Sequence, residues 1–244
     1  MRIDFLILGA TSLELSLVRS ALSSSVTGEP GPWSAQTGRI EHRSVAVVET
    51  GIGMVNSAAG LTFILTRHRP ALILMLGCAG AYPESGLDLC DLAVASEEIY
   101  GETGIRTRRK WKDWQHTGLP LLEEDGHCYY NRFPVDPDWR DRALRVAQQT
   151  LSPDSHVSSG PFLTVSQVSA DAWAARRMAL RFKGTVAENM EGAAAAHVAL
   201  RFGIPFLEVR GISNSAGNRN KQNWKLREAA QQSERVALSL IGSY

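Results

Sequence analysis

The chain has 244 residues, 44% of them apolar and 21% charged, which suits one α/β domain with a large core. Its 26 Lys and Arg against 25 Asp and Glu leave a formal net charge of +1, which excludes a global electrostatic pull towards nucleic acid or an anionic membrane. Three cysteines (Cys78, Cys90 and Cys128) with no C-x-x-C pair argue against a disulfide framework or a structural zinc site and fit a cytoplasmic protein.

The apolar run over 5–10 is too short for a signal or a membrane span. An apolar strand is expected over 3–8, then a helix capped by Thr11 or Ser12 with Leu13, Leu17 and Leu22 as its apolar stripe and Val18 and Ala21 beside it. A second strand follows over 45–49. After Gly51 and Gly53 comes a helix of small residues through Ala58, Leu61, Ile64 and Leu65, broken by Pro70. Residues 71–76 read as a fully buried strand and 92–99 as another. The polar, aromatic stretch 100–137 has little period and reads as a surface excursion. A helix is expected over 139–150, a strand over 162–168, a helix over 171–182 and a helix from Met190 to 202. A last strand over 205–212 and a helix over 222–241 complete the pattern. This alternation predicts a single α/β domain over 1–244 with a mostly parallel central sheet.

Three glycine-bearing turns fall where strands should end: Thr50-Gly51-Ile52-Gly53, Gly77-Cys78-Ala79-Gly80 and Arg210-Gly211-Ile212-Ser213-Asn214. Ligands of open α/β sheets sit at the carboxyl ends of strands. Each turn alone is also explained by ordinary turn chemistry. Asn56 stands where a dinucleotide fingerprint needs its third glycine, and no Gly-Lys-Ser/Thr follows any turn.

The order of motifs is more specific. Leu8-Gly9-Ala10 with Glu14, Thr50-Gly51-Ile52-Gly53-Met54-Val55-Asn56, Gly77-Cys78-Ala79-Gly80, Glu188-Asn189-Met190-Glu191-Gly192-Ala193-Ala194 and Val209-Arg210-Gly211-Ile212-Ser213-Asn214 together resemble the nucleoside phosphorylase and nucleosidase superfamily. Gly211-Ile212-Ser213-Asn214 with Gly217-Asn218-Arg219-Asn220 and Trp224 narrows the resemblance to the futalosine hydrolases. Methylthioadenosine nucleosidases carry aspartate where this chain has Asn214. The resemblance implies a three-layer α/β/α fold around a mixed, mostly parallel sheet. It also implies a homodimer or larger assembly, and hydrolysis of futalosine to hypoxanthine and dehypoxanthine futalosine in menaquinone biosynthesis.

Cleaving a nucleoside develops positive charge on the sugar, as in other glycoside hydrolyses. Glu191, at a helix start, is the candidate to grip the 2′,3′-diol, because a carboxylate accepts two hydroxyl hydrogen bonds and favours a cationic sugar. Its plainer role is to stabilise that helix start. Asn214 is the candidate for the base, donating to a 6-oxo group and accepting from N7–H of the leaving purine; an Asx turn is the alternative. Glu14 stands where the family has its water-activating base, the alternative being an exposed helix-surface glutamate. Ser213 is placed to orient Glu14 or a water. Met190, Cys78, Ala79 and Gly80 are expected around the substrate. Arg210 reads as a structural ion-pair partner, Cys78 as a packing residue and His197 as structural.

No metal or other cofactor is expected, because the six histidines are scattered and no cluster has ligand spacing. The run Arg106-Thr107-Arg108-Arg109-Lys110-Trp111-Lys112-Asp113-Trp114 has three readings: a solvated loop, a single-strand nucleic-acid binder or a dock for the carboxylate of futalosine's 5′ substituent. The balanced net charge speaks against nucleic acid. Two other functions stay in view, a purine nucleoside phosphorylase and a non-catalytic nucleoside-binding protein. Glu14 disfavours the first by repelling phosphate, and a mere binder has no need of both Glu14 and Asn214.

Overall fold

The computed structural model describes residues 3–27 and 32–244. Strand β1 (Phe5–Gly9) is wholly buried, as its continuous apolar run requires. A 3₁₀ turn over Ser12–Leu15 leads into the short helix α1 (Ser16–Ala21). Strands β2 (Ser23–Thr27), β3 (Ala35–Ile40) and β4 (Arg43–Glu49) run antiparallel at one sheet edge, and β4 lies parallel to β1. Helix α2 (Met54–Leu65) carries the chain to β5 (Leu72–Ala81), and β6 (Leu92–Tyr100) follows.

Two small hairpins come next: β7 (Gly104–Arg106) with β8 (Trp111–Asp113), and β9 (Leu122–Glu124) with β10 (His127–Tyr129). Strand β11 (Arg132–Pro134) rejoins the sheet beside β6. Helix α3 (Pro137–Thr150) starts at Asp136, whose carboxylate accepts the Trp139 N–H at 3.0 Å. Then come β12 (Val157–Thr164), α4 (Ala172–Arg181), β13 (Ala187–Asn189), α5 (Gly192–Arg201), β14 (Phe206–Ser215) and α6 (Leu226–Gly242). Helix α2 packs on α5, and α3 on α6.

Among the described residues the main sheet has ten strands in the order β11-β6-β12-β13-β5-β1-β4-β3-β2, and β14 pairs with both β5 and β6. Strands β5, β14, β6, β12 and β13 therefore close into a ring of ladders. Ten ladders hold the sheet. Five are parallel and five antiparallel. The sheet is mixed, as expected, but its parallel and antiparallel ladders are equal in number, so it is not mostly parallel. The departures sit at the β2–β3–β4 edge, at β11, and where the ring closes through β13 and β14.

Other expectations shift for local reasons. The helix after β1 changes from a 3₁₀ turn to an α turn at Ser16, so its inward face is Glu14, Leu15 and Val18. The expected stripe of Leu13, Leu17 and Leu22 is only half-buried. Polar β2 carries no apolar signal because it is the edge strand, and β3, paired on both sides, buries only Ala35, Gly38 and Ile40. Strand β12 begins at Val157, five residues before its expected start, because a bulge between Gly160 and Phe162 takes up Pro161, which has no N–H to give a ladder. The stretch 100–137 is more than a surface excursion, since Phe133 of β11 is fully buried. Among the described residues no helix is long and apolar enough to cross a membrane.

Candidate active site

Strands β4, β1, β5 and β14 are parallel neighbours, so their carboxyl ends meet on one side. There the first turn after β1 presents Glu14, the turn after β4 presents Gly53, and the end of β5 presents Cys78 to Gly80. Strand β14 runs beside β5 with Arg210 opposite Gly77 and Asn214 opposite Gly80.

Glu14 is 7% exposed, which rejects the helix-surface alternative. Its Oε2 accepts both the N–H and the hydroxyl of Thr11, each at 3.0 Å, and its Oε1 accepts the Cys78 N–H at 3.0 Å. Glu191 is 4% exposed and holds the N-cap position of α5, but its side chain makes no capping hydrogen bond. Its Oε1 accepts the Gly53 N–H at 2.9 Å and its Oε2 accepts from Arg210 Nη2 at 3.3 Å. A carboxylate has about four lone-pair directions, so Glu191 keeps one free on each oxygen and Glu14 keeps one on Oε1.

Arg210 joins the two acids. It is 1% exposed. Its Nε donates to Glu208 Oε1 at 2.8 Å, its Nη1 donates to Cys78 O at 3.2 Å, and Nη1 stands 3.8 Å from Glu14 Oε1. Burial pulls the guanidinium's pKa down, but the charges of Glu208, Glu191 and Glu14 more than offset this and hold it above its ordinary value. The expected structural role of Arg210 is confirmed in geometry, with the addition that its partners are Glu14 and Glu191 themselves. A Cβ on Gly77 would lie 2.3 Å from Glu14 Oε1 and 2.6 Å from Arg210 Nη1, so the absence of a side chain there makes room for the ion pair.

Behind Glu191 lies a buried polar layer that sequence reading missed. The Glu191 and Gly192 N–H groups donate to Asn189 Oδ1 at 2.9 and 2.8 Å. Asn189 Nδ2 donates to Glu98 Oε1 at 2.7 Å, and Thr164 Oγ1 donates to Glu98 Oε2 at 2.6 Å. Glu98 and Glu208 are both fully buried. Burial, reinforced by the Glu208 charge, pushes the Glu98 carboxyl well above the usual carboxylate range. A signal was present in the sequence: Glu98 and Glu208 each fall next to buried apolar residues of a strand, and a charge buried there needs an internal partner.

Asn214 lies within β14 and not in a turn. Its Oδ1 accepts from Ser213 Oγ at 2.8 Å and its Nδ2 donates to Ser215 O at 2.9 Å. One acceptor direction and one N–H remain. Ser213 therefore steadies Asn214, and its expected contact with Glu14 is absent; its hydroxyl also approaches Ala79 O at 3.3 Å. Gly80 lies alongside the Asn214 amide. Met190 is half-buried beside Glu191. Cys78 contributes backbone on both sides of the array, and its Sγ donates to Leu226 O at 3.1 Å. Burial, with the Glu14 charge, pushes its thiol up to about 12, so it is no thiolate nucleophile.

His197 stacks on Phe133 at 4.3 Å and meets the Tyr100 hydroxyl at 3.3 Å, away from this constellation. In the basic run, Trp111 packs edge-on against Phe182 at 5.3 Å with Arg181 over its face at 4.7 Å, while Arg106, Arg108, Arg109 and Lys110 are exposed. No hydrogen bond or ion pair among the described residues joins that run to Glu14, Glu191 or Asn214. Among those residues, no group of three His, Cys, Asp or Glu is suited to hold a metal ion.

The phosphorylase superfamily model matches residues 4–242. A futalosine hydrolase of Thermus thermophilus is 33% identical over 214 residues, covering 88% of each chain. A 5′-methylthioadenosine/S-adenosylhomocysteine nucleosidase of Halalkalibacterium halodurans is 28% identical, covering 97% of this chain and 96% of its own. The structure of the corresponding nucleosidase from Neisseria meningitidis, in complex with methylthio-immucillin-A, superposes with a TM-score of 0.85 at 21% identity over 99% of each chain. The chain belongs to the phosphorylase superfamily, among its nucleosidases, enzymes that hydrolyse N-glycosidic bonds.

Proposed function

We propose that the chain hydrolyses the N-glycosidic bond of futalosine, releasing hypoxanthine, with Glu14 activating water, Glu191 gripping the sugar diol and Asn214 receiving the purine. The observation that carries the reading is the Arg210 bridge. It holds Glu14 and Glu191 side by side, yet leaves Glu14 one open acceptor for a water and Glu191 two for a diol. Two anions at the sugar favour an oxocarbenium-like transition state. They oppose phosphate, and the one cation in the array, Arg210, is already engaged by three carboxylates. Hydrolysis is therefore favoured over phosphorolysis.

The purine assignment rests on Asn214. Its free N–H suits a 6-oxo group, and its free Oδ1 lone pair suits N7–H. An adenine presents a 6-amino donor and leaves with a need for a proton that an amide cannot give. The mismatch costs about 1–3 kcal/mol, or roughly tenfold or more in discrimination. In competition, the parent is expected to cleave futalosine well and 5′-methylthioadenosine poorly, and Asn214→Asp to narrow the gap. Preference of the parent for 5′-methylthioadenosine would overturn the futalosine assignment. That result would favour the second reading, a methylthioadenosine nucleosidase, which the Halalkalibacterium relative supports.

Glu191→Gln gives a separate check. The amide keeps part of the hydrogen bonding but loses the charge, so binding and rate are both expected to fall. The 2′-deoxy substrate should lose most of its disadvantage in this variant. If the ratio of ribo- to deoxyribonucleoside cleavage stays at the parent value, Glu191 does not hold the 2′-hydroxyl.

Three further points belong to this reading. The exposed cations at 106–110 are the candidate dock for an acidic 5′ substituent. Exposed Ile52 and Val55 flank Gly53 and support a homodimer or larger assembly that covers them. Three unpaired cysteines support a cytoplasmic setting for this single domain.

A further inference from the structure

We infer that Glu208 is a positioning residue for the nucleosidase site: it fixes the Arg210 guanidinium so that one cation serves Glu14 and Glu191 at once and neutralises neither. This rests on the hydrolytic reading above. Arginine offers a planar fork that pairs readily with both oxygens of a single carboxylate. Free to turn, Arg210 would close on Glu14 or Glu191 and quench it. The Nε–Glu208 bond at 2.8 Å is the shortest of its three ion pairs, against 3.3 Å to Glu191 and 3.8 Å to Glu14. It pins the edge of the guanidinium remote from the sugar carboxylates and leaves Nη1 and Nη2 to face one acid each.

Glu208 is itself held from behind. Its Oε2 is buried and has no donor other than the adjoining Glu98 carboxyl. A Cβ on Gly192 would lie 2.2 Å from both Glu208 Oε2 and Glu98 Oε1, which sets the two carboxyl groups side by side under the first residue of α5. Two adjoining buried carboxyls do not both ionise, and Glu98 is the one that keeps its proton. Glu208 Oε1 instead lies against the Arg210 cation at 2.8 Å. Through Asn189, the neutral Glu98 also tethers the Glu191 backbone. One acid pair thus fixes the partner of the Glu191 side chain and the Glu191 main chain together. The titratable groups around the pair are Arg210 on β14, Glu191 ahead of α5, Glu14 and Cys78 at the ends of β1 and β5, and Tyr100 on β6. Glu234 of α6 faces Glu14 from the far side, accepting the Leu17 and Val18 N–H groups.

The test is the pH dependence of kcat/KM for purine release by the full-length parent, Glu208→Gln, Glu208→Asp and Glu98→Gln. Glutamine at 208 still accepts from Nε but returns the full Arg210 charge to Glu14 and Glu191. Those acids then stay anionic further into acid and are weaker bases. We expect the acid limb of Glu208→Gln to move to lower pH, with kcat down on the order of 10²-fold, the scale of a misplaced catalytic group. Glu208→Asp keeps the charge and should keep the parent limb. So should Glu98→Gln, which imitates a protonated acid. An unmoved limb and a kcat within a few-fold in Glu208→Gln overturn the inference, as does a limb that moves in Glu98→Gln. If Glu208→Gln does not fold, a shifted limb in either of the other two variants overturns it and parent limbs in both support it. A parent that releases no purine from any nucleoside fails the nucleosidase reading instead.

Discussion

Exchange of Glu14 for glutamine is expected to remove about 10²–10⁴-fold of the turnover, the usual worth of a general base. Thr11 and Cys78 present three donors to this carboxylate. The amide of glutamine has only one acceptor oxygen, so its NH₂ must face donors on one side. That conflict is expected to lower stability by about 1–3 kcal/mol. A domain with roughly 5–15 kcal/mol in hand stays folded. The loss of turnover should therefore appear in protein with a native circular dichroism spectrum and a cooperative melt. Turnover within a few-fold of the parent would remove Glu14 from the mechanism.

Arg210→Met carries the largest expected effect on stability. Methionine fills much of the arginine stem's volume, so a cavity is not the issue. Three carboxylates lose their shared cation, and Glu208 has no exposure at all to water. Removing one partner of a buried ion pair costs about 3–5 kcal/mol, because the remaining charge is stranded. Urea unfolding at neutral pH should show a loss of that size. Raising the proton supply should return part of it, since acid neutralises the stranded carboxylates. A loss below about 1 kcal/mol would mean that water or a relaxed backbone serves these acids, and that Arg210 does not organise the site.

Much of this was legible in the sequence, for reasons that differ by residue. Strands β1 and β5 announced themselves as unbroken apolar runs. Helices α3 and α4 fell within two residues of expectation at their starts because Asp136 and Asp171 cap them; Asp171 accepts the Ala174 N–H at 2.8 Å. Glu14, Glu191 and Asn214 were proposed through a motif order, and local periodicity alone would have put Glu14 on the surface, where the fold does not leave it. What periodicity lacks is knowledge of a turn that changes pitch, as at Ser16. The resemblance implied a mixed sheet, but its antiparallel share was hidden because pairing partners are remote: nothing near β14 says that it will lie parallel to β5 and antiparallel to β6. The Glu98–Asn189–Glu208 layer was hidden for a similar reason. Each member looks like an isolated polar residue until the fold sets them together.

The register of β14 has a consequence of its own. Ile212 lies opposite Ala79 and Asn214 opposite Gly80, so Ser213 is an extra residue with no counterpart across the ladder. The strand is thereby divided into two modules. Everything before the bulge carries Arg210 and is locked by the charges around it; everything after it carries the amide and answers only to Ser213 and Ser215. An exchange of side chain at 214 leaves the buried charges undisturbed, whereas any exchange at 210 disturbs all of them. Under the proposed roles, base preference can therefore be changed at 214 without touching the buried charge array that Arg210 organises.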